Sequence, residues 1–137
     1  MQNFLTLTLP VKQDAATLAK AKALVAGFSQ QLQPKVEKAL SGSAIVHFAR
    51  FVLIGTEYIQ VLTTYDGDER AYAVFFWNEL NEVFKAAYEL VEGAPTGADW
   101  TEENFFAFNK LPAHQPVPFY KFSAYPDKTV KIINSVA

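Results

Sequence analysis

Cysteine is absent from the sequence, which excludes disulfides, thiolate metal centres and thiol nucleophiles and suits a reducing cytoplasm. Histidine occurs only twice, at His47 and His114. Two imidazoles without a third ligand make a poor metal site, so no metal is expected. Charge of one sign is also missing, since 12 basic and 14 acidic residues leave a net charge of −2. Apart from loose pairs at Lys35, Lys38 and Lys128, Lys131, the basic residues are scattered. No stripe can neutralise several phosphates, and nucleic acid is not an expected partner. The longest apolar run, Ile45–Ile54, is interrupted by His47 and Arg50 and is too short to span a bilayer. The opening Met1-Gln2-Asn3-Phe4 has no basic n-region, so no signal peptide is expected. These absences predict a cytoplasmic protein without a membrane partner. A phosphate loop, nucleophile elbow, zinc motif and haem attachment motif are all missing, and no repeat or linker divides the chain.

What is present is a large apolar content. The 137 residues are half hydrophobic and 15% aromatic, with 12 Phe. That suits a single domain over residues 1–137 with one core, and it leaves enough apolar surface for a partner or a ligand.

Patterning predicts an α+β domain. In Phe4–Leu9, leucines alternate with threonines, as in a strand with one apolar face, and Pro10 ends it. Asp14 caps a helix carrying Leu18, Ala21, Val25, Phe28 and Leu32 on one face. Pro34 stops or kinks it, with a further turn over Lys35–Leu40. Ala44–Ile54 and Glu57–Tyr65 form two strands joined by a turn at Gly55-Thr56, an antiparallel hairpin. A long helix follows, with Phe76, Leu80, Val83, Phe84, Ala87 and Val91 on one face, and it stops at Gly93 and Pro95. Asp99-Trp100-Thr101-Glu102 reads as a capping box for a short helix through Phe108. Leu111–Pro118, with three prolines, is irregular, and Phe119–Tyr125 is a last strand. The tail after Thr129 suits a helix, although Val130, Ile132 and Asn134 also fit a strand.

The order β-α-β-β-α-β is that of a ferredoxin-like sandwich: a four-stranded antiparallel sheet with helices on one face, here with extra short helices near the C-terminus. Such a sheet has a second face. The Ala44–Ile54 strand places Ile45, Ala49, Phe51 and Leu53 on one side and Val46, Phe48, Val52 and Ile54 on the other. Either a second copy of the chain in a homodimer or the segment Asp99–Pro118, with Trp100, Phe105, Phe106 and Phe108, would cover the side the helices leave bare.

Five residues are candidates for chemistry. His47, within an apolar strand, is either a paired core histidine or a pocket-lining base. Asp66, beside Gly67, is either a turn residue or a second base. Arg50 is an edge ion-pair partner or an anion clamp, and it shares a face with His47 only if a bulge intervenes. Tyr65 is a core or cavity residue. His114, in the proline-rich segment, becomes a ligand only if it meets His47 in one cavity.

Val46-His47-Phe48-Ala49-Arg50-Phe51-Val52-Leu53 with Thr64-Tyr65-Asp66-Gly67 resembles the signature of a family of uncharacterised bacterial domains. That family is related to the dimeric α+β barrel (ferredoxin-like) proteins and remotely similar to dye-decolourising peroxidases. Glu92-Gly93-Ala94-Pro95, Asp99, His114, Phe119-Tyr120 and Tyr125–Val130 agree with it. The resemblance implies a homodimer. It leaves three functions open: a domain with a small apolar pocket for an apolar or aromatic ligand, a cofactor-light monooxygenase or isomerase acting on an aromatic substrate, and a haem-binding protein using His47 or His114. Of the peroxidase Gly-x-x-Asp-Gly element only Asp66-Gly67 is present.

Overall fold

A computed structural model describes Gln2–Val136. The chain folds as an α+β domain around a three-stranded antiparallel sheet. Strands β1 (Gln2–Pro10), β2 (Val46–Ile54) and β3 (Tyr58–Asp66) lie in the order β1-β3-β2, so the last strand of the hairpin is the central one. Leu5, Leu7 and Leu9 on β1 pair with Thr63, Val61 and Ile59 on β3, which in turn oppose Ala49, Phe51 and Leu53 on β2. These residues form the face that meets the helices. The opposite face carries Phe4, Thr6 and Thr8, then Gln60, Leu62 and Thr64, then Phe48, Arg50 and Val52.

Helices α1 (Ala15–Gln31) and α2 (Gln33–Ser43) connect β1 to β2. Asp14 caps α1 by accepting from Thr17 N at 2.8 Å. Leu32, at φ −116°, separates the two helices, and Pro34 in the first turn of α2 leaves no unmet donor there. The expected short turn over Lys35–Leu40 is therefore a full eleven-residue helix. Only Thr17 and Ala21 of α1 are buried, whereas Val25 is 58% exposed. The helical spacing was legible, but its apolar stripe is not closed against the sheet.

After β3, Asp68 caps α3 (Glu69–Glu79) by accepting from Ala71 N at 2.8 Å. Leu80 then leaves helical geometry, at φ −121° and ψ 21°, and α4 (Asn81–Tyr88) begins. The single helix expected here is thus two. The break lets Leu80 bury itself to 1% exposure while Asn81 turns its Oδ1 to the Trp100 indole N–H at 3.0 Å. Val91 lies past the helix and bridges to Val11. Phe76, Leu80, Val83 and Phe84 are all buried, as their spacing predicts.

The expected capping box does not form: Asp99 lies in the turn before helix α5 (Glu102–Asn109), which Thr101 caps by accepting from Asn104 N at 3.2 Å, and Thr129 caps α6 (Val130–Val136) by accepting from Ile132 N at 3.1 Å. Phe105, Phe106 and Phe108 of α5 join the main core. The Phe105 ring lies 5.5 Å from Phe84 and 5.4 Å from Tyr88. The Phe-rich segment therefore builds on the helical layer and does not cover the opposite sheet face.

Phe119–Tyr125 is not a fourth strand; it has no regular structure. The chain from His114 to Tyr125 follows the outer edge of β1, but among the described residues the one backbone bond between them is Thr8 N to the His114 carbonyl, at 2.8 Å, ahead of the expected strand. Pro116 and Pro118 have no N–H to contribute to a ladder. Side chains make the other link: Gln2 Nε2 donates to the Tyr125 carbonyl at 2.8 Å, and Ser123 Oγ to Gln2 Oε1 at 2.6 Å. Val117, Phe119, Tyr120, Phe122 and Tyr125 are left exposed.

Candidate functional site

A bulge decides the placement of the first candidate. Val46 opposes Tyr65, but Phe48 opposes Thr64, so His47 is an extra residue on β2. The insertion inverts the alternation before it. Val46, expected opposite the core, packs against the core, and His47 reaches Asp66 at the end of β3. His47 Nε2 lies 2.8 Å from Asp66 Oδ1, and the two side chains are 6% and 10% exposed. Asp66 Oδ2 accepts from Val130 N, at the start of α6, at 2.7 Å. The carboxylate is thus a bridge between β2, β3 and α6 rather than a turn residue.

The other three candidates go elsewhere. The bulge removes the parity argument separating Arg50 from His47, yet Arg50 is exposed and forms no ion pair among the described residues. Tyr65 is buried on the core face, its ring stacked on Tyr72 with centroids 4.0 Å apart. Burial, with the nearby Glu69 and Asp68 charges, pushes its hydroxyl above the usual range. His114 is buried beside the Phe108 ring, and its Nδ1 lies 2.8 Å from the Phe108 carbonyl. Its carbonyl binds Thr8, whereas His47 neighbours Asp66, which pairs with Gln2 at the other end of β1. Six residues of strand separate those ends, on the order of 20 Å. The two histidines share no cavity.

Among the described residues, two well-formed cavities adjoin the core. The larger, of about 450 Å³, lies between α1, α2 and the sheet, with α4 closing one end. Phe28, Leu40, Phe51, Leu53 and Val61 contribute to its walls. Ser29 and Gln33 are its polar lining residues besides Tyr88. The Tyr88 hydroxyl donates to Asn109 Oδ1, and burial holds it far above the ordinary phenol range. The second cavity, of about 330 Å³, sits between β1, α3 and α5. Its apolar floor includes Leu5, Leu7 and Phe76, and its rim carries Asp68, Glu69, Arg70 and Lys110. Arg70 is already engaged, its guanidinium stacked 4.2 Å from the Phe106 ring centre. His47 and His114 line neither cavity. No group of three or more His, Cys, Asp or Glu suited to a metal ion occurs among the described residues. Among them, too, no helix is long and apolar enough to cross a membrane.

Sequence reasoning missed Ser29 and Gln33, which fall off the apolar stripe of the first helix and look like ordinary solvated residues. It also missed Asn109, a buried polar partner for which a helix-end Asn gives no signal. No family model, curated protein or solved structure matches the chain.

Proposed function

We propose that this chain is a homodimeric ferredoxin-like domain that binds a small apolar or aromatic ligand. The observation that carries the ligand reading is the cavity of about 450 Å³ beneath α1, which is within the range of small-molecule sites. The exposed Val25 and the half-buried Phe28 and Leu32 flank it. A ligand there would complete the burial that α1 lacks. The β1-β3-β2 order supports the ferredoxin-like reading, as does the relation to dimeric α+β barrel proteins suggested by the segment around His47. A second copy is the simplest cover for the open sheet face, where Phe48 is 76% exposed. A thermal-shift panel of small aromatic and aliphatic compounds tests the ligand reading. A binder at a hundred times its Kd stabilises the fold by about 2.7 kcal/mol, and a panel without any shift rejects the reading. Light scattering across a dilution series tests the dimer, which a monomeric mass at high concentration rejects.

A second reading rests on the His47–Asp66 pair. A carboxylate on one ring nitrogen sets the tautomer and leaves His47 Nδ1 with no protein partner among the described residues. That is the arrangement of a general base, and it suits a cofactor-light monooxygenase or isomerase. This reading requires a bound aromatic compound to be turned over by the native protein and not by His47→Gln. Haem binding, the third possibility, would give an intense visible band on titration with haem.

A further inference from the structure

We propose, resting on the ligand-binding reading of the larger cavity, that this site selects an uncharged ligand with one hydroxyl or amide group held at the mouth by Ser29 and Gln33. Its walls offer no carboxylate, ammonium or guanidinium group. Tyr88, its single ionisable lining residue, has its proton committed to Asn109. A charge carried into such a cavity loses its hydration and gains no counter-charge. The mouth has a different character. Val25 and Ser29 stand one helical turn apart on α1, Gln33 opens α2, and all three are exposed. Gln33 Nε2 donates to Glu37 Oε1 at 3.1 Å, which leaves its amide oxygen as an acceptor on the same cavity lining as the Ser29 hydroxyl. Glu37, exposed and already accepting from Gln33, carries a water-screened charge that is worth little to an ion of either sign. The volume of about 450 Å³ holds about fifteen water-sized groups, at ~30 Å³ for each. A ten-carbon chain with a polar end therefore fits.

Calorimetric titration of the full chain with decanol, decanoate and decylammonium tests the inference. Decanol is expected to bind, and both ions to bind about tenfold more weakly or worse, through the desolvation penalty on charge. Either ion binding as tightly as decanol overturns the neutrality of the site and leaves the apolar-ligand reading intact. Failure of all three overturns both. Ser29→Arg, at an exposed position that threatens no packing, is expected to raise decanoate affinity about tenfold by supplying the missing counter-charge without improving decanol. An unchanged decanoate affinity would place the head group elsewhere and overturn the assignment of the mouth.

Discussion

Asp66 holds His47 and the first turn of α6 with its two carboxylate oxygens, at 2.8 Å to His47 Nε2 and 2.7 Å to Val130 N. One side chain at the end of the central strand thereby fastens both the bulged edge strand and the C-terminal helix. Asp66→Ala is expected to cost about 1–3 kcal/mol, because it strands a buried imidazole and frees a helix N–H. Amide exchange at Val130 should accelerate together with the loss of stability. Asp66→Asn keeps one acceptor and should lose less. Denaturant titration of both variants checks the order, and equal stability for Asp66→Ala and the parent would remove the bridge.

Phe84 is 3% exposed, with ring centres of Phe76 at 4.9 Å and Phe105 at 5.5 Å. Phe84→Ala should cost about 3–5 kcal/mol, from lost transfer free energy plus the void left behind. A loss below ~1 kcal/mol on chemical denaturation, far under that range, would mean that α4 packs with another face inward.

The hydroxyls of Tyr72 and Tyr88 are raised well above the ordinary value of 10.0, chiefly by burial, and that of Tyr65 is raised for the same reason. Each holds its proton more tightly folded than unfolded. The stability they contribute is whole below pH ~10 and falls as pH rises beyond it. Alkaline titration should show their phenolate absorbance growing in step with loss of the far-ultraviolet dichroism. Full ionisation of all six tyrosines with dichroism intact contradicts this.

Phe48 sits on the sheet face opposite the core, across from Thr64. In the proposed homodimer, Phe48→Glu would remove an apolar contact and set like charges against each other across the two-fold axis. Size-exclusion chromatography with light scattering should show half the parent mass at an unchanged monomer fold. A parent that is already monomeric, or a variant that stays dimeric, removes the sheet face as the interface.

The leucine–threonine alternation of β1, the apolar β2–β3 hairpin and the Phe76–Phe84 stripe were legible because their periods of 2 and 3.6 are local properties of the chain. So was the cap at Asp14, which needs only the Thr17 N–H three residues on, whereas α5 is capped by Thr101 and not by the expected Asp99. The α+β class followed from these. Tertiary structure decided the rest. The bulge at His47 depends on which β3 residue each β2 residue meets, so pairing alone inverted the alternation and brought His47 to Asp66. Phe119–Tyr125 contains no proline and could supply a ladder's donors, so its failure to pair with β1 is decided by tertiary placement and not by its own residues. The break at Leu80 answers a demand for burial and a bond to Trp100 from a segment about twenty residues on. The cavity, too, belongs to no local pattern. It exists because α1 and α2 stand off the sheet, and that spacing is set by how the rest of the core packs.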